Sequence, residues 1–485
     1  MRLFTVLCIA ALALAVALPV YAEVQNVKVG GDILIRGVHR DDYDFRNDSK
    51  DNNAATQDRS SLYNTVTRVN VNADLTDNVS TAVRLINERD WDVEGQANTD
   101  IDLDIASVTL KELIYSPLTL TLGRQEIKFG NGLVIADRNR PNYSPSVRGT
   151  VDLATNTAAG RVGWTGPNGT LTAGYGDLTL RKAFDAIRAT LDYDKWTIDG
   201  VIIKINETGL NTNDDDLCGV NVGYKFDKYN AGLEGYLVYD RDESFNRTML
   251  SNSGEDILRT YEKSELYVIG LRGTIDPIEN LNLNGEVAYQ AGEIRDDTIG
   301  ATEWIATSQT KARDRQAWAA DVAGSYSWAN VTYKPKLGLS YTYRSGEEAG
   351  NDGDYELWEP LFTDQVRGEI AKVALNGPNA GNTSNASIIG VNLSVKPIEK
   401  LLASLDYYHS WLAEKLSETE PQYGATTNRK GKKDLADEVD LNLTYNYTED
   451  VSFGLLGAVL WPGDSFAGGF DETAFETVGS VKVTF

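Results

Sequence analysis

The residues best equipped for chemistry lie in one short run, Gly123-Arg124-Gln125-Glu126-Ile127-Lys128-Phe129-Gly130. In an extended chain Arg124, Glu126 and Lys128 project to one face. Arginine offers a planar fork that grips a carboxylate through two parallel hydrogen bonds, and lysine offers a compact point charge. Glu126 can hold the fork in position or compete with a ligand for it. The chemistry on offer is recognition of an anion. Bond breaking needs more. The chain has 2 histidines. His39 opens a long polar loop beside Asp41, Asp42 and Asp44, and His409 reads as an interface residue between Tyr407 and Trp411. Ser410 follows His409, but strand neighbours point to opposite faces, so the two do not make a nucleophile and its base. No His/Cys cluster has metal-ligand spacing. The sequence therefore predicts no enzyme and no cofactor, and a barrel-embedded hydrolase ranks last among the readings weighed. The acidic runs Asp214-Asp215-Asp216 and Asn351-Asp352-Gly353-Asp354 read as solvated loop.

The elements that must position these groups are strands. Leu118, Leu120 and Leu122 form an apolar face on even positions, whereas Ile127 and Phe129 continue it on odd ones. A β-bulge near Gly123 accounts for the change of phase. If the leucines face lipid, the bulge turns Arg124, Glu126 and Lys128 inward, since a basic residue on the lipid face costs roughly 2–4 kcal/mol at mid-depth. The same alternation recurs along the chain, as in Val69/Val71/Ala73/Leu75, Leu281/Leu283/Gly285/Val287/Tyr289 and Val439/Leu441/Leu443/Tyr445/Tyr447. Short turns (Asp194-Lys195, Asp227-Lys228, Asp276-Pro277, Lys396-Pro397, Glu449-Asp450) alternate with long polar loops (39–63, 129–157, 241–262, 293–314, 344–384, 412–434). Tyr and Trp collect at strand ends, where two bilayer interfaces would want them. This is the grammar of an all-β transmembrane antiparallel β-barrel of about 18 strands, or about 20 if the 158–179 hairpin around Gly166-Pro167-Asn168-Gly169 joins the wall.

Both ends of the chain agree with a barrel. Residues 1–22 read as a secretory signal peptide: Arg2, an apolar run from Leu3 to Leu18, and Val20-Tyr21-Ala22 at the cleavage positions. Residues 23–485 then form a single barrel domain. Phe475–Phe485 alternates strictly and ends on an aromatic, as a closing strand would. The formal charge of -25 argues against nucleic acid as a partner. Cys218 is the lone cysteine after cleavage, so no intrachain disulfide is expected. Strand phase places Arg84, Arg188 and Arg272 on the lumen side with the Arg124, Glu126, Lys128 set.

Gly123–Gly130 resembles a motif of the alginate-export family of outer-membrane porins. Phe184-Asp185-Ala186-Ile187-Arg188 and Trp461-Pro462-Gly463-Asp464 are similar to two further elements of that family. Asn131–Ile135 carries no basic residue, where the family usually has one. The resemblance implies a monomeric barrel in the outer membrane whose charged lumen passes an anionic or polar polysaccharide. It also implies contact with outer-membrane lipid and lipopolysaccharide, the barrel-assembly machinery and periplasmic export partners. A general or small-solute diffusion porin is the alternative reading of the same barrel.

Overall fold

The computed structural model describes residues 26–43, 45, 59–91, 101–138, 151–152, 157–158, 178–206, 215–242, 248–250, 256–258, 264–295, 312–348, 353–375, 382–415, 432–466 and 471–485. One antiparallel sheet of 18 strands dominates. Its first strands are β1 Asn26–Asp41, β2 Ser60–Thr76, β3 Val79–Asp90, β4 Asp102–Lys111, β5 Leu118–Gln125 and β6 Phe184–Tyr193. Next come β7 Trp196–Asn206, β8 Asp215–Lys225, β9 Gly232–Asp242, β10 Ser264–Ile278, β11 Leu281–Arg295 and β12 Ala312–Ser327. The last six are β13 Lys336–Arg344, β14 Ala386–Ile398, β15 Leu401–Trp411, β16 Asp434–Asn446, β17 Val451–Pro462 and β18 Ala474–Thr484. Each strand pairs with its neighbour in sequence, and β18 pairs with β1, which closes the sheet into a barrel.

The closing seam explains two glycines. Gly31 N–H donates to the Phe485 carbonyl at 2.8 Å, and Phe485 N–H donates back at 3.0 Å. A Cβ at Gly31 would stand 2.9 Å from the Phe485 ring, and one at Gly30 would stand 2.9 Å from its carbonyl oxygen. The terminal ring thus packs on Gly31, and Gly30 leaves room for the terminal carbonyl. Outward residues such as Val83, Leu85, Ile187, Ile202, Leu237, Ile269 and Leu271 are exposed, and they alternate with inward partners as lipid on one side and water on the other require. Rings ride on both rims. At the long-loop end Tyr239 meets Tyr267 at 4.8 Å and Tyr289 meets Trp318 at 4.4 Å. At the short-turn end Trp196 meets Tyr224 at 4.6 Å and Tyr326 meets Trp328 at 4.9 Å. His409 lies 5.4 Å from Trp411 in the upper belt.

β5 pairs directly with β6, so the wall has the expected 18 strands without the 158–179 hairpin. Residues 159–177 of that hairpin lie outside the described residues. Asp276-Pro277 and Lys396-Pro397 are not turns. Both fall inside strands, at register shifts between Ile275 and Ile278 and between Val395 and Ile398. Proline cannot donate to the ladder, and the irregularity removes the need for a donor. The turns follow at Glu279-Asn280 and Glu399-Lys400.

Candidate functional site

Two segments leave the wall and fold into the barrel. The first, residues 126–138, follows β5. Ile127, Phe129, Leu133, Val134 and Ile135 are buried against Phe184, Val201, Ile203, Val238 and Val268 on the inner face of β6–β10. The segment reverses in a tight turn, with Gly132 N–H donating to Phe129 O at 2.9 Å and Phe129 N–H to Ile135 O at 3.0 Å. Gly130 and Gly132 have φ of 59° and 90°. A Cβ at Gly130 would collide with the Glu286 carboxylate, and one at Gly132 with that of Asp364. Only glycine satisfies both the backbone angle and the close approach. The second segment, residues 353–375, follows β13. Trp358, Leu361 and Phe362 join the same core. Phe362 pairs in parallel with Ile135, and Phe362 N–H donates to Val134 O at 2.9 Å. The segment ends in a single helical turn, α1 Ala371–Ala374, beside a second core built on Leu412, Leu435 and Leu460. Together the two segments form a shelf across the lumen.

Wall carboxylates hold this shelf by its backbone. Gly130 N–H donates to Glu234 Oε1 and Asn131 N–H to Glu286 Oε2, each at 2.7 Å. Tyr236 O–H completes Glu286 at 2.6 Å. On the other side Glu438 accepts Ile370 N–H at 2.6 Å and Ala371 N–H at 2.9 Å. A buried amide left without an acceptor costs about 1–3 kcal/mol, so each of these bonds holds the backbone in place. The shelf is therefore pinned at both ends, not merely packed.

The free edge of the shelf faces a cavity of about 490 Å³ lined by Lys128, Asn131, Arg272, Asp321, Gln365 and Arg367 among others. Three cations from three elements meet there. Arg272, on β10, bonds Asn131 Oδ1 at 2.7 Å and lies 3.5 Å from Glu234. Arg367 reaches Asp321 at 3.3 Å. Lys128 reaches Asp364 at 3.1 Å. The remaining candidates stand elsewhere. Arg84 meets Asp104 at 2.5 Å and also pairs with Glu126, on the inner face between the exposed Val83 and Leu85. Arg188 bonds the buried Asp199 at 2.8 Å. Glu126, Lys128, Arg84, Arg188 and Arg272 thus lie inside the barrel, the first two because their segment leaves the wall.

Arg124 does not. The register runs one-for-one through Gly123, with Arg124 opposite Ala106 and Asp185. Asp185 shares its face with the exposed Ile187, while Phe184 and Ala186 are buried inside. Arg124 therefore stands on the outer face at the long-loop end, 3.2 Å from Asp185. Gly123 does have φ of 106°, but it does not swing the following side chain inward. The reversal of apolar phase has another cause: Ile127 and Phe129 pack on the inside of the wall instead of facing lipid. Arg138, at the far end of the first shelf segment, also reaches Asp185, at 3.5 Å. Burial, then the Arg124 charge, holds the Arg138 guanidinium below its ordinary value, and Asp185 acts against both.

Sequence reasoning missed Arg367, because strand phase says nothing about a side chain in a loop. It also missed Arg181 and Lys182. These belong to a third inward stretch, residues 178–183, which Glu88 holds through Leu180 N–H at 2.8 Å and Arg36 through the Leu178 carbonyl at 2.6 Å. Arg181 meets Asp102 at 2.6 Å. Lys182 lies 3.8 Å from Asp137 and 3.9 Å from Asp364. The basic pair Arg181-Lys182, one residue before Phe184-Asp185, was the available signal.

Among solved structures the chain is similar to OpdL of Pseudomonas aeruginosa, at 11% identity, a TM-score of 0.51, and coverage of 95% of this chain and 99% of that one. It is similar to OccK2 (OpdF) of the same organism, at 9% identity, a TM-score of 0.51 and coverage of 95% and 98%. A second OccK2 structure, in complex with glucuronate, matches at 9% identity with a TM-score of 0.50 and coverage of 95% and 99%. At these identities the likeness is one of fold. No curated protein matches the chain. Residues 176–479 match the family described as Alginate export, a stretch running from the third inward segment to the closing strand. With the barrel fold of the outer-membrane porins, that match means that the chain belongs to the alginate export family of outer-membrane channel proteins.

Proposed function

We propose that this protein is an outer-membrane channel for passive passage of an anionic or polar polysaccharide, with the shelf as its selective constriction. The observation that carries the reading is the meeting of Lys128, Arg272 and Arg367 around one cavity of about 490 Å³. Charge focused in a low-dielectric channel raises the local concentration of a counter-charged solute. An acidic protein needs such local basic groups if a polyanion is to pass. Arg84, Glu126 and Arg188 line the approach in this reading, and Arg124 is left to the outer surface. No bound cofactor and no catalytic step is involved. Export by residues 1–22, insertion by the barrel-assembly machinery, a monomeric state, and delivery of the glycan by periplasmic partners complete the proposal. That OccK2 forms a complex with glucuronate is in keeping with uronate passage, but the argument rests on this chain's own cations.

The decisive measurement is single-channel recording in a salt gradient with oligouronates added. The wild type should be blocked by oligouronates in a length-dependent way, and Lys128→Gln with Arg367→Gln should weaken the block about ten-fold or more, a tenfold change being 1.4 kcal/mol. A second reading, a general diffusion porin, draws on the carboxylate that accompanies each of these lumen cations, for example Asp364 at Lys128 (3.1 Å) and Asp199 at Arg188 (2.8 Å). Absence of any block, with unchanged selectivity in the double variant, would favour it.

A further inference from the structure

Asp364 sits between two lysines that belong to different inward segments. Lys128 comes from the first shelf segment, with Nζ at 3.1 and 3.5 Å from the two Asp364 oxygens. Lys182 comes from the stretch that enters β6, with Nζ at 3.9 Å. The aspartate stands on the second shelf segment, where its N–H donates to Gly132 O at 3.1 Å. Gln365 Nε2 lies 3.5 Å from its Oδ1, and Val366 N–H donates to its carbonyl oxygen at 3.1 Å. Both ammonium groups keep open sides: the Lys128 side chain is 49% exposed and that of Lys182 is 42% exposed. An ammonium has three donors, so each can take a further acceptor.

The other carboxylates of the constriction are differently placed. Asp321 is buried and bonded to Arg344 at 2.5 Å, to Thr342 at 2.5 Å and to Arg367 at 3.3 Å. Glu234 and Glu286 carry the backbone of the shelf. Removing any of these would dismantle structure. Among the described residues, no backbone amide donates to the Asp364 carboxylate. Its charged neighbours are Lys128 and Lys182, with Asp137 beyond Lys182 at 3.8 Å. The local set of Lys128, Lys182, Asp137 and Asp364 sums to zero.

We infer that Lys128 and Lys182 form a carboxylate-binding site for a passing uronate, and that Asp364 is its built-in occupant, displaced when a substrate carboxylate arrives. The inference deepens the glycan-channel reading and rests on it for the identity of the ligand. Its electrostatic core does not depend on a glycan. A tethered carboxylate keeps the lysines neutralised when the channel is empty, so small anions gain little. A uronate chain, offering many carboxylates along one path, replaces it at each step and hands it back.

The test uses the full-length protein in planar bilayers. Asp364→Asn leaves the lysines without their occupant. The chloride-to-potassium permeability ratio from reversal potentials should rise about two-fold or more. The affinity of glucuronate as a blocker should rise by a similar factor. Lys128→Gln combined with Lys182→Gln should abolish both gains in the Asp364→Asn background. Where Asp364→Asn assembles poorly, Asp364→Ser removes the same charge, and the same rise in the ratio is expected. A permeability ratio unchanged in a properly assembled Asp364→Asn channel would overturn the inference. A raised ratio with no change in glucuronate block would overturn the uronate assignment and, with it, count against the glycan reading alone.

Discussion

At the scale of single residues, charge parity and backbone angle decide function differently. Arg124 carries the family resemblance in sequence, yet its partner Asp185 holds it on the outer face. Arg124→Ala is expected to leave ion selectivity unchanged and to alter stability by no more than about 1 kcal/mol, as half-exposed ion pairs do. Reversal potentials and the midpoint of heat modifiability check both statements, and a selectivity shift would return Arg124 to the lumen. Gly130 should be far less tolerant. At φ of 59° a side chain costs about 1–2 kcal/mol, and the collision with Glu286 adds to that. Gly130→Val should dislodge the shelf turn, seen as a larger and noisier single-channel conductance. The parity of Arg84, Arg188 and Arg272 was legible because each lies in a regular strand between lipid-facing neighbours. That of Arg124 was misread because an apolar residue on the inner wall looks, in sequence, the same as one facing lipid.

At the scale of elements, the wall was legible and the shelf was not. Strands of a barrel must alternate, since one face meets hydrocarbon and the other water. Segment 353–375 read as polar loop because Trp358, Leu361 and Phe362 are scattered among Glu356, Glu359 and Asp364, with no period to detect. Its burial depends on a wall that is distant in sequence. Removing a wall carboxylate should loosen it: Glu438→Leu leaves the Ile370 and Ala371 amides without an acceptor, at about 1–3 kcal/mol for an unsatisfied buried donor. Limited proteolysis of intact cells or of protein in nanodiscs, expected to cleave within 353–375 in the variant and not in the wild type, is the readout. The seam is a separate element. Phe485→Asp or Gly31→Val should lower the amount of assembled, heat-modifiable barrel while leaving the conductance of whatever assembles unchanged, because Gly31 and Phe485 lie at the short-turn end of the seam, whereas the shelf packs at its other end, beside Tyr43 and Ala474.

At the scale of the whole molecule, two structures share one chain. The wall is held by a closed ring of backbone-paired strands whose hydrogen bonds lipid cannot replace. The shelf is held as a water-soluble protein is held, by a buried apolar core and by carboxylates gripping amides. Opening free energies of such units differ within one protein. Heating should therefore remove the filter before the cylinder. A bacterium carrying this channel would meet the difference as a failure of its permeability barrier: over a band of temperature, solutes too bulky for the intact constriction would cross an envelope whose barrels still ran folded on a gel.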